Sequence, residues 1–230
     1  MLPLIMIPAL CCDDGLYHGV TAALSDLVSP RIIIPYEGTL AACAEKVLQA
    51  VDGGFIVMGT SFGGHVAREA ALAAPDRVKG LWIIGAGAGA IANRQAGLER
   101  SGKLRGGREE EVYQQFHKMI THLPGERGPW AADEFLRMAR RSDPQKVALQ
   151  ADALALRPDR WNDLGRIACP TLLLWGVHDQ FAPASDGLRM AGLIPHARYV
   201  EIAECGHLPS LETPDEFVTA AQHWFGDIRV

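Results

Sequence analysis

The segment Gly59-Thr-Ser61-Phe-Gly63 follows an apolar run at residues 55–58 and leads into an alanine-rich stretch. In that context a sharp strand-to-helix turn holds its middle residue in a strained backbone conformation, and the flanking glycines remove Cβ atoms that would clash there. The pattern predicts the Ser61 hydroxyl exposed at a helix N-terminus, whose free N–H groups and positive dipole end favour a developing anion. Such a serine could attack a carbonyl. Serine is a weak nucleophile at neutral pH, so it needs a base within hydrogen-bond reach and a third group that fixes the base's tautomer. Two later loops offer them: Gly176-Val-His-Asp179-Gln-Phe-Ala-Pro183, after the run at 171–175, and Glu204-Cys-Gly-His207-Leu-Pro209, after the run at 198–202. Both leave the carboxyl ends of strands in the sheet that carries Ser61, where parallel sheets place their ligands. The plainer alternatives are a turn carboxylate at Asp179, capping the helix after Pro183, and a loop histidine at 207 bonded to backbone.

Positioning these loops requires an alternating architecture. Apolar runs at 2–7, 31–34, 55–58, 78–84, 171–175 and 198–202 alternate with helical patterns, the signature of parallel strands joined by crossover helices. Leu40, Ala44, Val47, Leu48 and Val51 mark one helix face, and Ala67, Ala70, Ala71 and Ala74 form a small-residue face able to approach a sheet closely. Thr213-Pro-Asp-Glu216 reads as a capping box with proline at the first helical position, opening a last helix that buries Phe217, Ala221, Trp224 and Phe225. Between about residues 90 and 166 no β-branched run appears. Segments 109–121 and 131–141 read as helices separated by Leu123-Pro-Gly-Glu-Arg-Gly-Pro129, and a stretch this long between two strands must fold into something of its own. The expected organisation is a core of residues 1–89 and 167–230 with a helical cap of residues 90–166.

The 230 residues, 48% hydrophobic and 21% charged, suit one compact domain with an insertion. A net charge of −5 supplies no field for nucleic acid or an anionic membrane. The basic stretch from Arg94 to Arg108 runs straight into Glu109, Glu110 and Glu111 and reads as a solvated face. The apolar N-terminus has no basic flank and is too short and proline-broken to span a bilayer, which predicts a cytoplasmic chain. Five cysteines (Cys11, Cys12, Cys43, Cys169, Cys205) with no C-x-x-C pair suit reduced thiols. His117 and His122 do not share a helix face, and no H-E-x-x-H occurs, so no metal is expected. Gly85-Ala-Gly-Ala-Gly-Ala90 formally satisfies a dinucleotide-binding pattern, with Glu109 beyond it. It leads into the helical insertion rather than a βαβ unit, so no cofactor is expected there either.

Together these residues resemble the α/β-hydrolase fold superfamily, and in particular its small capped esterase, enol-lactonase and carbon–carbon hydrolase branch. The likeness runs through Ile7-Pro-Ala-Leu10, the turn at Gly59–Gly63, the Gly176 to Pro183 loop, and Gly206-His207 followed by Glu212-Thr-Pro214. It implies Ser61 as nucleophile, His207 as general base and then acid, and Asp179 as the orienting carboxylate. Some relatives carry the acid one strand earlier, where this chain reads Gly85 to Ala90 without a carboxylate. The resemblance also implies an oxyanion hole from the N–H groups of Leu10 and Phe62, with Ala9 departing from the glycine usual in relatives. It implies an α/β fold of about six mostly parallel strands flanked by helices, lacking two antiparallel strands that relatives place first, and so exposing an edge.

The expected activity is hydrolysis of a small carboxylic ester, thioester or lactone through an acyl-enzyme. Carbon–carbon hydrolysis or cofactor-free perhydrolysis with the same triad, and a non-catalytic ligand receptor on the same fold, are the alternatives. Tyr17, His18, His65 and Trp130, with Phe116, His117 and His122, are candidate pocket residues. No arginine can be aimed at the site from the sequence, which favours a neutral or weakly polar ester. A monomer or homodimer with a small-molecule substrate is expected.

Overall fold

The computed structural model describes residues 1–228. Among these residues six strands, β1 (Pro3–Ile7), β2 (Ser29–Ile32), β3 (Phe55–Thr60), β4 (Val78–Ile84), β5 (Thr171–Gly176) and β6 (Ala197–Ile202), form one sheet in the order β2-β1-β3-β4-β5-β6. Every neighbouring pair is parallel. The helices are α1 (His18–Leu24), α2 (Leu40–Gln49), α3 (Phe62–Ala73), α4 (Arg94–Arg105), α5 (Glu109–His117), α6 (Gly128–Arg141), α7 (Pro144–Ala155), α8 (Ala184–Ala191), α9 (Pro209–Glu212) and α10 (Pro214–Asp227). No helix of the described residues is long and apolar enough to cross a membrane.

The strand sequences explain the order. β3 and β5 are buried at every position, as unbroken apolar runs must be when helices cover both faces of a parallel sheet. The edge strands β2 and β6 are only partly covered. Ala67 and Ala70, fully buried, bring α3 against β1, β3 and β4. At the other end of the chain, Phe217 of α10 stacks on Trp82 of β4 with ring centroids 4.7 Å apart, and Trp224 lies 6.5 Å from the same indole.

Three elements depart from the sequence expectation. The run at 31–34 is strand only to Ile32: pairing with β1 runs from Pro3↔Ser29 to Met6↔Ile32, the Ile33 N–H makes the last bond to Met6 O at 3.1 Å, and Pro35 has no N–H to continue. The helix expected over 109–121 ends at His117, because the Met119 and Ile120 N–H groups fold back on Phe116 O and the chain beyond is drawn out to meet the His207 loop. The capping box at Thr213 does not form. Thr213 closes α9 as well as opening α10, and its hydroxyl donates to Pro209 O at 3.3 Å.

Between β4 and β5, α4 packs along α7 and α5 along α6. Leu104, Val112, Phe135, Met138, Val147 and Ala151 are buried among these helices. The Arg105 guanidinium ties α4 to α7 through Asp152, with the Ser101 hydroxyl between them.

Candidate active site

Ser61 lies at the turn from β3 into α3 with φ 54° and ψ −113°. Its N–H donates to Ile84 O at 2.7 Å, and its carbonyl accepts the His65 N–H at 3.1 Å, so β4 and the first turn of α3 both hold the turn. A Cβ on Gly59 would collide with the Gly63 backbone, and one on Gly63 with the Ile7 carbonyl. The glycines therefore let β1, β3 and α3 converge at the serine.

His207 and Asp179 reach the same place from two loops. His207 Nδ1 lies 2.6 Å from Asp179 Oδ2, with side chains 3% and 1% exposed. A carboxylate at this distance accepts a hydrogen bond from Nδ1–H, holding the neutral ring's proton there and leaving Nε2 bare. Asp179 Oδ1 meanwhile accepts the N–H groups of Phe181 at 2.8 Å and Ala182 at 3.0 Å. One oxygen of Asp179 thus fastens the turn and the other faces the imidazole; it does not cap the helix after Pro183, whose N-terminus has no side-chain cap. Gly85, at φ +56°, backs the pair, and a Cβ there would stand 2.9 Å from Asp179 Oδ2.

Glu212 supports the His207 loop. It is 5% exposed; Oε2 accepts the N–H groups of Gly206 at 2.9 Å and His122 at 2.7 Å, and Oε1 accepts that of Leu208 at 2.9 Å. The His207 N–H itself donates to Ile120 O at 3.0 Å. One buried carboxylate therefore joins the loop on both sides of His207 to the chain after α5. Sequence reasoning noted the Glu212-Thr-Pro214 motif without assigning this part.

The loop after β1 turns between Ala9 and Cys12, closed by the Cys12 N–H to Ala9 O at 3.0 Å. Cys11, its third residue, has φ 65°, the position at which such a turn calls for positive φ. The N–H groups of Leu10 and Phe62 donate to no backbone carbonyl among the described residues. Burial pushes the Cys11 thiol up to about 12 and Cys12 well above its ordinary value, so neither offers a thiolate that would compete with Ser61.

Ser61, His207, Leu10 and His65 open on one cavity of about 250 Å³. Phe116, Ile120, Leu154 and Phe181 supply its apolar wall, where the Phe181 ring packs 5.3 Å from Phe116 and 4.9 Å from His207. Arg100 and Arg157 also line it, with Asp186. This corrects two expectations: the basic stretch from Arg94 is not wholly a solvated face, and the site does hold arginines. Helical spacing could have grouped Arg100 with Leu104, the buried residue one turn on, but nothing in the sequence singles it out among its basic neighbours.

Five candidates do not line the cavity. Tyr17 is fully buried beneath β1 and β3, its hydroxyl donating to Ile7 O at 2.9 Å and lying 2.9 Å from Thr60 Oγ1. His18 is exposed beside Asp14. Trp130 is 44% exposed, with the Arg127 guanidinium over its ring. His117 faces Asp133, and His122 stacks on His178 at 3.8 Å. Among the described residues no group of three or more His, Cys, Asp or Glu side chains is placed to hold a metal ion.

A family described as alpha/beta hydrolase fold matches residues 29–214. The chain belongs to that family and is one of its hydrolases. It is 28% identical over 233 residues to a pimeloyl-[acyl-carrier protein] methyl ester esterase of Nitrosomonas europaea, a match covering 94% of this chain and 92% of that protein. A 2-hydroxy-6-oxononadienedioate/2-hydroxy-6-oxononatrienedioate hydrolase of Paraburkholderia xenovorans is 30% identical over 175 residues, covering 70% of this chain and 58% of that one. The solved structure of a thermophilic esterase from Thermogutta terrifontis superposes with a TM-score of 0.90 at 23% identity, over 100% of this chain and 91% of the other.

Proposed function

We propose that the protein hydrolyses a small carboxylic ester, thioester or lactone with Ser61 as nucleophile, His207 as general base and then acid, and Asp179 as the carboxylate that orients His207. The observation that carries this reading is the buried His207–Asp179 pair, 2.6 Å apart, whose imidazole lines the same cavity as a serine held at positive φ. Nε2 of His207 takes the Ser61 proton as Oγ attacks the carbonyl carbon, and the N–H groups of Leu10 and Phe62 receive the oxyanion. The protonated imidazole then gives its proton to the leaving oxygen or sulfur. Water, deprotonated by the same nitrogen, releases the acid from the acyl-enzyme. Residues 90–166 act as a cap over a core of residues 1–89 and 167–230, excluding bulk water from the cavity. Similarity to the Nitrosomonas europaea esterase supports ester chemistry.

Carbon–carbon hydrolysis is the second reading, favoured by similarity to the Paraburkholderia xenovorans hydrolase and by the two cavity arginines, which suit a substrate bearing carboxylates. Turnover of p-nitrophenyl acyl esters and of 2-hydroxy-6-oxononadienedioate by one preparation separates the two. Ser61→Ala is expected to lower kcat by about 10⁶-fold on whichever substrate turns over, and a fluorophosphonate is expected to label Ser61 in the native protein alone. Ester turnover near the native rate in Ser61→Ala would refute the assignment.

A further inference from the structure

His65 stands one helical turn past Ser61, 7% exposed, with its ring on the cavity wall. Arg68, a further turn along α3, is fully buried. Its Nη1 donates to Gly87 O at 2.9 Å, and its Nη2 lies 2.9 Å from His65 Nδ1. A guanidinium has donors and no acceptor, so Nδ1 must be the acceptor. In the neutral ring the proton then sits on Nε2, which has no protein partner among the described residues. The cavity thus contains two imidazoles in opposite tautomers: Asp179 leaves His207 with a bare Nε2, and Arg68 leaves His65 with an Nε2–H.

We propose that His65 is a substrate-binding residue of fixed polarity, its Nε2–H donating to a substrate oxygen other than the reacting carbonyl, and that the oxygen belongs to a free carboxylate. Arg100 supports the choice of an anion. Its guanidinium lines the same cavity and lies 5.0 Å from the Phe116 ring centroid, and no carboxylate among the described residues pairs with it. Asp186 is the one carboxylate that lines the cavity among the described residues; it lies near Arg157, whose Nε is already given to Gly89 O at 3.0 Å. A half-ester of a small dicarboxylic acid fits: the ester at Ser61, the carboxylate at His65 and Arg100. The substrate class rests on the serine-hydrolase reading; the tautomer does not.

His65 keeps this polarity as the pH falls. Burial, Arg68, Arg157 and His207 all oppose its charged form and hold it well below its ordinary value of 6.5. Arg100 adds another positive group on the cavity wall, where Asp186 is the one anion among the described residues that could oppose them.

The test begins with ¹⁵N-histidine spectra of the whole protein, assigned with His65→Gln. The expected result is an unprotonated Nδ1 and a protonated Nε2 at His65 that do not titrate from about pH 8 to pH 5, while Arg68→Met lets the tautomers mix. An Nδ1–H, or titration near the ordinary histidine value, overturns the lock. Glutarate added to Ser61→Ala should shift the His65 Nε2 resonance saturably, and no shift overturns the carboxylate site whether or not the native protein turns over. In the active enzyme, His65→Leu should reduce kcat/KM for an aryl half-ester of glutarate relative to the aryl pentanoate by about tenfold, mostly through KM. His65→Gln, which keeps an N–H donor, should recover part of the loss. An unchanged ratio in a protein whose Ser61 still takes a fluorophosphonate refutes the His65 proposal and leaves the serine reading standing. Absence of both label and turnover refutes the serine reading, and the spectra still decide the tautomer.

Discussion

The His207 corner and the His65 corner of the cavity use the same side chain under opposite partners. At His207 the partner is a buried carboxylate, which can accept a proton's hydrogen bond and stabilise the imidazolium that forms when the ring takes up a proton. At His65 the partner is a buried guanidinium, which penalises that proton. Neither the residue type nor its burial distinguishes the corners, since both rings are nearly inaccessible. The difference lies in the sign of one neighbour, and it separates a group suited to moving protons from one suited to holding a substrate oxygen.

The largest expected effect attacks the His207 corner directly. Asp179→Asn keeps the shape but presents an amide donor to Nδ1, so the ring is expected to turn to the wrong tautomer and kcat to fall by about 10⁴-fold with little change in unfolding midpoint. A fall of less than about tenfold would remove Asp179 from the proposed role. Next comes the support of that corner: Glu212→Gln places an NH₂ group where a buried carboxylate accepts three N–H bonds. A loss of about 2–3 kcal/mol in urea unfolding is expected, together with a smaller fall in kcat as His207 loosens. The least effect comes from the His65 corner and is read as a pH dependence. Because the native ring binds its proton well below 6.5, the unfolded chain takes up one proton more than the native one as the pH drops through that value. Stability should therefore decline toward acid by as much as about 1.4 kcal/mol per pH unit from this group. His65→Gln should flatten the pH 5–6.5 segment of the curve, and an unaltered slope would show that His65 titrates normally.

The two corners were also unequally legible. Ser61, Asp179 and His207 sit in loops at strand ends whose glycines and prolines announce sharp turns, and the apolar runs before them fix the strand ends to within a residue or two. The six-stranded α/β-hydrolase sheet could be read the same way, because β3 and β5 are too uniformly apolar to be anything but buried. β2 was read two residues late, since its identity rests on pairing with β1 rather than on its own isoleucines. The His65 corner has no such signature. Arg68 lies mid-helix among alanines, where a buried cation is the improbable reading of any arginine, and its partners Ala86 and Gly87 come from a loop that local pattern does not bring near. Arg100 is one base among several on α4, and only the packing of that helix turns it inward. Tyr17 misled for the complementary reason: its place after the β1 loop suggested the pocket, but its hydroxyl is spent on Ile7 and Thr60.

The contacts of Glu212 and His207 with the chain at Ile120 and His122 run through main-chain atoms on the helical side: a carbonyl oxygen and an N–H. Side chains there contribute nothing to these bonds. The wall built by α4, α5 and α7 can therefore exchange its residues, altering what the cavity admits, while the path followed by residues 120–122 preserves the seat of the imidazole. A new substrate preference can be reached through single substitutions on those helices, without a compensating change in the loops that hold Asp179 and His207.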